Sequence, residues 1–484
     1  MDTMALPLLL DDALVATESG FAVRVSLPWI RSMPLSGVTD VAVAIDGIPV
    51  PVSARLGDRD VAIDALAAET AWWFIQDRLE LRGDRMLPPG PHDVSVAFRL
   101  MVPYLQAGPS GPLSLPFHAE RPLGLGGAAS AHRPASTAPP VTVLERADAG
   151  PDAADVDGWT ISASAFNWTP EVIRGERPAA DIAIGVVEER VAATIEIEAG
   201  QVWRSFPEPS DDDVDAFRER LAATGGAVTI VGASLDDWAT PARRRSEQER
   251  LAFLVPQLQA AARLGARGVR VPFGQAGPEL LRLAQPVLHE LGIVLYEEIQ
   301  GQQTLDGPAE AANLELLQAL GDPRIRVLID ISMLMPSLPP SYLDELRRGG
   351  VDEDLVRRLE TEWRAPETHQ AVLAALREGR VPPAVHTLFM NLLVRFGRSD
   401  VADLEPLLPL TTGVHLKFWD LDDTDGRVSQ PISDTAAALR RTGFAGTLTS
   451  EWGGHEWLDA DPTATTRAHL ALAERALSGA GVAP

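Results

Sequence analysis

The sequence predicts an α/β protein, a (β/α)8 barrel preceded by an all-β, sandwich-like region, and three observations carry that expectation. From Trp159 onward, strand-like runs alternate with amphipathic helical runs. Up to about residue 122 the patterning has period two, with weak helical periodicity. Between the two, LGLGGAASAHRPASTAPPVTVLERADAGPDAADVD (residues 123–157) is rich in Gly, Ala, Pro and Ser and reads as a linker.

In residues 1–122 the short alternating segments are FAVRVSL, VTDVAVAIDGIPV and DVSVAFRLMVPYL. Asp46-Gly47 and Pro88-Pro89-Gly90 separate them as turn signals. Trp29, Trp72, Trp73, Phe74 and Tyr104 are expected to fill a small core or an interface with the following domain.

In residues 158–484 eight strand-like runs follow: TISASAF, ATIEIEA, AVTIVGA, GVRVPFG, GIVLYEE, IRVLIDI, GVHLKFW and GTLTSEW. In the helical run SEQERLAFLVPQLQAAARLG, Leu251, Leu254, Leu258 and Ala261–Ala262 share one face and Gly265 supplies the stop. Eight strand–helix units over roughly 325 residues match a (β/α)8 barrel with insertions. More than eighty residues separate Asp330 from His415, which places a helical insertion at about 333–410, expected to cap the barrel mouth.

Composition narrows the function. Lys plus Arg is 42 against 68 Asp plus Glu, a net charge of −26, which repels nucleic acid and anionic lipid. With no cysteine there is no disulfide, thiolate metal site or cysteine nucleophile. The first twenty residues lack a basic segment, Asp11 and Asp12 interrupt their apolar run, and no later run is long enough to span a bilayer. A soluble cytoplasmic protein is the expectation.

Strand ends carry the chemistry in such barrels. The fifth run ends in Glu297-Glu298, the sixth in Asp330, the seventh in His415 and the eighth in Glu451. Three carboxylates and an imidazole at one mouth repel one another without a cation, and with one they form an N/O site for Mn2+ or a similar divalent ion (Mg2+, Co2+ or Zn2+). Only one of the adjacent glutamates can face inward, and Glu298 is chosen because Gln300 then shares its face. Lys417 lies on the His415 face, either to bond a substrate oxygen or to partner Asp420 or a metal carboxylate. The general base stays open between His386 in the insertion, His455 after the last strand, and a metal-bound carboxylate. Gln300 and Trp452 are candidate substrate contacts.

From about Arg243 to the end, the chain resembles the sugar isomerase/epimerase group of xylose-isomerase-like TIM barrels. The matching pieces are RRRSEQERLAFLVPQLQAAARLG, EEIQG, RVLIDIS, FGRSDVADLEPLLP, VHLKFWDLD and GFAGTLTSEWGGHEW. The resemblance implies one divalent metal on Glu298, Asp330, His415 and Glu451. The Glu451-Trp452-Gly453-Gly454-His455 tail is similar to the ending of one branch, in which many members carry His where Gln300 stands.

SLPWIRSMPLSGV, IDGIPV, Trp72-Trp73 and LPPGPHDVSVAFRLMVPYL resemble the small β-subunit of bacterial C-glycoside deglycosidases. There that subunit accompanies a separate barrel subunit; here both lie in one chain. The resemblance implies cleavage of the bond between the anomeric carbon and an aromatic carbon, after a separate oxidase has turned the sugar C3 hydroxyl into a ketone. That ketone acidifies the C2 proton, a metal on the C2 and C3 oxygens stabilises the enediolate, and the aglycone leaves from C1. Two other readings stand beside it: a ketose epimerase or aldose–ketose isomerase using the same enediolate, and a carbohydrate-binding scaffold, which the intact metal set disfavours. An endonuclease-IV-type enzyme is set aside because the barrel part has no histidine before His289 and the charge is acidic. A homo-oligomer acting on a small-molecule 3-oxo-glycoside is the expected assembly.

Overall fold

A computed structural model of the chain describes residues 7–107, 111–125, 158–175 and 177–479. Eight parallel strands close into a barrel: Thr160–Ser164, Thr194–Glu198, Ala227–Gly232, Gly268–Pro272, Val294–Ile299, Ile325–Asp330, Thr411–Phe418 and Thr447–Trp452. They are numbered one to eight below. All eight coincide with the runs legible in the sequence. The barrel interior is filled by Ile230, Tyr296 and Leu328 together with the Ser162–Thr229 hydroxyl pair at 3.0 Å.

Helices on the outside begin and end where local chemistry dictates. In the helix Glu247–Leu264, Ser246 accepts from the Glu249 amide while Glu249 reaches back to the Ser246 amide, and Gly265 closes it with a left-handed φ of 75°. The helix between strands seven and eight, Ser429–Thr442, buries Ile432, Ala436, Ala438 and Leu439.

The expected insertion is helical. Pro340–Arg348, Glu353–Thr361 and Pro366–Arg377 are followed by short turns of helix up to Val394. These helices have their own apolar core, in which Tyr342, Phe396, Trp419 and Trp457 meet edge-on or stacked. Trp419 and Trp457 follow strands seven and eight, so the cap is fastened to the rim of the barrel by aromatic packing.

The N-terminal region is antiparallel throughout. One sheet has the strand order Leu14–Ala16, Phe21–Ser26, Arg78–Gly83, Ser53–Leu56, Arg59–Ala62. The other runs Pro112–Gly124, Pro91–Gln106, Val38–Ile45, Ile48–Val50. Several of these strands went unread in the sequence, among them Arg78–Gly83 and Pro112–Gly124. The first mixes charged residues at every second position, and the second carries three prolines and polar residues on a sheet edge. The strand Pro112–Gly124 also runs two residues past the expected boundary at 122, and the rest of the expected linker, 126–157, lies outside the described residues.

The two regions share one continuous buried apolar cluster. The aromatic residues of the N-terminal region serve partly as interface: Trp72 meets Phe206 edge-on at 5.0 Å and Phe253 at 5.9 Å. Polar contacts fix the register of docking. Ser32 Oγ donates to Gly200 O at 2.7 Å, Gln201 Nε2 donates to Ile30 O at 2.7 Å, and Gln76 bonds Val172, Arg177 and Ala179. At the centre Arg31 pairs with Asp236 at 2.6 Å, with its guanidinium 4.5 Å from the Tyr104 ring centre.

Asp236 is fully buried, and burial raises its carboxyl against the opposing pull of Arg31. Removing Arg31 strands that charge. Arg31→Ala is expected to destabilise the fold by about 3–5 kcal/mol, read as a lowered denaturation midpoint, and Asp236→Asn in the same background should recover part of the loss.

Candidate metal centre

Register and alternation bring the predicted strand-end residues together. Asp330 pairs with His415 across strands six and seven, and Lys417 with Glu451 across strands seven and eight. Glu298, Asp330, His415 and Glu451 each offer one ligand atom within 4.8 Å of the others, and all four are buried. Glu298 is the inward member of its pair. Glu297 faces the other side of the strand, where it accepts from Asn313 Nδ2 and the Gly274 amide, and burial pushes its carboxyl up to about 7.

The donors are arranged for a cation. His415 Nδ1 lies 2.9 Å from Glu298 and 3.0 Å from Glu451 without hydrogen-bond geometry to either, and Asp330 Oδ2 is buried with no partner. Asp330 Oδ1 accepts from the Ser332 amide at 2.8 Å, which fixes the carboxylate and leaves its other oxygen aimed at the group. Two ionised carboxylates within 4.8 Å of each other repel by at least about 3 kcal/mol at an effective dielectric near 20. Three hard carboxylates, one imidazole and no sulfur suit a divalent ion of the Mn2+, Mg2+ or Zn2+ kind. The residues fit a metal.

Without an ion the charges balance on the protein itself. Burial disfavours the His415 imidazolium, but Glu196, Glu451 and Glu298 outweigh it and raise the ring well above its ordinary value. Burial likewise opposes the Glu451 carboxylate, which His415 and Lys417 hold well below the usual range. Asp330, farther from positive charge, is pushed up to about 6 by burial against the pull of Lys417.

Residues the sequence reading missed surround this group. His415 Nε2 donates to Glu196 at 3.0 Å, the carboxylate–histidine contact that fixes the ring so that Nδ1 faces the cluster. Arg270 Nε donates to Glu196 at 2.7 Å, Nη1 to Glu298 at 2.9 Å, and Nη2 to Glu198. Burial works against the Glu196 carboxylate, yet His415 and Arg270 pull it down to about 2. The signal was present in ATIEIEA and GVRVPFG: charged residues stand at alternate, inward positions of otherwise apolar barrel strands.

The other candidates separate. Lys417 Nζ donates to Glu451 at 3.0 Å and sits 5.6 Å and 5.4 Å from the ring centres of Phe166 and Trp419. Asp420 is bonded by Ser341 instead. Burial lowers the Lys417 ammonium, but Glu451 and Asp330 outweigh it and keep it charged. A cavity of about 40 Å³ lies beside Lys417, walled by Ser332, Met335 and Asp420. The side-chain amide of Gln300 is half-buried and unbonded at the end of strand five. His455 is buried against Phe166 and Trp452, and burial pulls its ring down to about 4. Two expectations need correction. Trp452 follows Glu451, so alternation turns it to the opposite face; it is fully buried, stacks on Phe418 and donates to Trp419 O at 2.8 Å, which leaves no face for a substrate. His386 is exposed on the short cap helix His386–Phe389 and its side chain bonds none of the described residues, because the cap core turns Phe389 inward in its place.

Comparison with known proteins finds two kinds of relative. The C-glycoside deglycosidase alpha subunit of Arthrobacter globiformis is 27% identical over 331 residues, 67% of this chain and 94% of its own length. The 3'-dehydrocarminate deglycosidase beta subunit of Microbacterium sp. is 32% identical over 113 residues, 22% of this chain and 85% of its own length. Among solved structures, a xylose isomerase domain protein from Alicyclobacillus acidocaldarius aligns over 67% of this chain and 100% of its own, at 16% identity and a TM-score of 0.40. No protein-family model matches the chain.

Metal binding is testable without a substrate. Titrating chelator-treated protein with Mn2+ is expected to raise the thermal midpoint with concentration, because an ion that binds only the folded state adds stability. Asp330→Ala should fold and lose that response; a response equal to wild type would refute the site.

Proposed function

From a chain that belongs to the C-glycoside deglycosidase family, we propose an enzyme that cleaves the carbon–carbon bond between a 3-oxo sugar and an aromatic aglycone. Residues 1–122 correspond on this reading to the separate beta subunit of the relatives, and residues 158–484 to the alpha subunit. The observation that carries the proposal is the buried Glu298–Asp330–His415–Glu451 group in a chain with relatives among both subunits. The relatives' names also support the substrate class, since one is a deglycosidase of 3'-dehydrocarminate.

The proposed chemistry follows from acidity. A ketone at sugar C3 makes the C2 proton removable near neutral pH, and the electron pair left behind expels the group at C1, which lies β to the ketone. A divalent ion, Mn2+ by preference, held by Glu298, Asp330, His415 and Glu451 would supply positive charge against the developing enolate. Lys417 keeps its charge beside Glu451 and adds a fixed cation on the same side. Phe166 and Trp419 cover Lys417 and keep water from it. The free amide of Gln300 stands ready for a sugar hydroxyl. His455, buried against Phe166 and Trp452, is kept neutral. On this reading a separate oxidase supplies the ketone.

The test uses purified, Mn2+-loaded protein. A 3-oxo-C-glucoside with a phenolic aglycone should yield free aglycone and an unsaturated 3-oxo sugar, while the unoxidised C-glucoside stays intact. Interconversion of free ketoses with no aglycone release would replace this reading by an isomerase.

A further inference from the structure

Strands two, three and four converge on a carboxylate outside the proposed metal ligands. Glu198, the last residue of strand two, pairs in register with Gly232, and Gly232 pairs with Arg270. A Cβ at position 232 would overlap the Glu198 carboxylate, so the glycine is what lets the Arg270 guanidinium cross strand three and reach it. Of the three carboxylates on Arg270, Glu196 and Glu298 also contact His415, whereas Glu198 makes no such contact. Glu198 is also the open one: 20% of its side chain is exposed, against 0% and 3% for Glu196 and Glu298. It stands on the C-terminal rim, where barrels of this kind carry their reacting groups.

We propose that Glu198 is the catalytic residue that takes the C2 proton of the 3-oxo sugar and returns it to the departing aromatic carbon. This rests on the deglycosidase reading. In the first half, the C2–H bond breaks, its proton goes to the carboxylate, and the electron pair forms the C2–C3 double bond with the charge on the C3 oxygen. In the second, the C3 carbonyl re-forms, a C1–C2 double bond forms, and the C1–aryl pair leaves on the aromatic carbon, which takes the proton from the Glu198 carboxyl. Glu198 ends ionised as it began, and no other reagent is consumed.

The surroundings suit a proton carrier. Burial raises the Glu198 carboxyl, Arg270 opposes, and Glu196, Glu451 and Glu298 add to the rise, which brings it to about 7. Arg270 does not pin it as an anion because one guanidinium serves three carboxylates. The next turn, Ala199–Val202, is the one gripped by Ile30 and Ser32, and Gly200 lies so close that a Cβ there would sit 2.9 Å from the Arg31 Cβ. The N-terminal region thereby holds the backbone that positions Glu198.

The experiment compares Mn2+-loaded wild type, Glu198→Gln, Glu198→Asp and Gly232→Ala on a 3-oxo-C-glucoside, with C2 deuterium exchange followed by NMR and bound metal measured for each. Glu198→Gln should lose about 100- to 10,000-fold in kcat with KM and metal content unchanged. Wild-type kcat/KM should fall below pH about 7, because the base must be ionised, and Glu198→Gln should lack that limb. Glu198→Asp should keep part of the rate, and Gly232→Ala should behave as Glu198→Gln. A Glu198→Gln enzyme with the wild-type rate and acid limb, or one that loses its metal together with its activity, overturns the role of Glu198 and leaves the deglycosidase reading standing. If wild type exchanges C2 deuterium without releasing aglycone, the deglycosidase reading falls, and slow exchange in Glu198→Gln still upholds the base. A wild type that neither cleaves nor exchanges overturns both.

Discussion

The site is governed by the need to compensate buried negative charge. Glu196, Glu298, Asp330 and Glu451 are at most 5% exposed and lie around one imidazole. Water cannot screen them there, so compensation comes from Arg270 and His415, each in contact with more than one acid, and from Lys417 bonded to Glu451. The arrangement still leaves His415 Nδ1 and Asp330 Oδ2 without hydrogen bonds. Buried groups of this kind are ordinarily satisfied, and a divalent ion would satisfy both at once.

The positive side chains act across strands, which ties the charge balance to strand register. Arg270 reaches Glu198 on strand two across Gly232 of strand three, where a Cβ would overlap the carboxylate. The glycine thus belongs to the electrostatics as much as to the backbone. Lys417 gains its partner the same way, from its register opposite Glu451. A slip of one residue in either ladder would turn these side chains to the helix layer.

Around this centre two added layers bear on the barrel rim. The cap is fixed by Trp419, directly after strand seven, and Trp457, five residues after strand eight, which stack at 5.6 Å. The N-terminal sheets are fixed at the turns after strands two and three, through Ser32, Gln201 and the Arg31–Asp236 pair. One continuous core joins those sheets to the barrel, so strain at the interface reaches the rim by way of a few residues of backbone. A polypeptide that carries both parts removes the entropy of assembling them from separate chains.

The sequence by itself determined the barrel and the convergence of Glu298, Asp330, His415 and Glu451. Strand-like runs alternating with amphipathic helices, helix stops such as Gly265 and a polar residue at the end of each of the last four strands are local signals, and the choice of Glu298 over Glu297 needed only alternation. The N-terminal strand Pro112–Gly124 escaped because an edge strand has one neighbour and tolerates prolines and polar residues. Trp452 and His386 were misplaced because residue type says what a side chain can do, and only packing says which way it faces. The tertiary structure alone decided that Glu196, Glu198 and Arg270 share one charge network with His415. Their strands are far apart in the chain, and barrel closure and register, both non-local, bring them within hydrogen-bond reach.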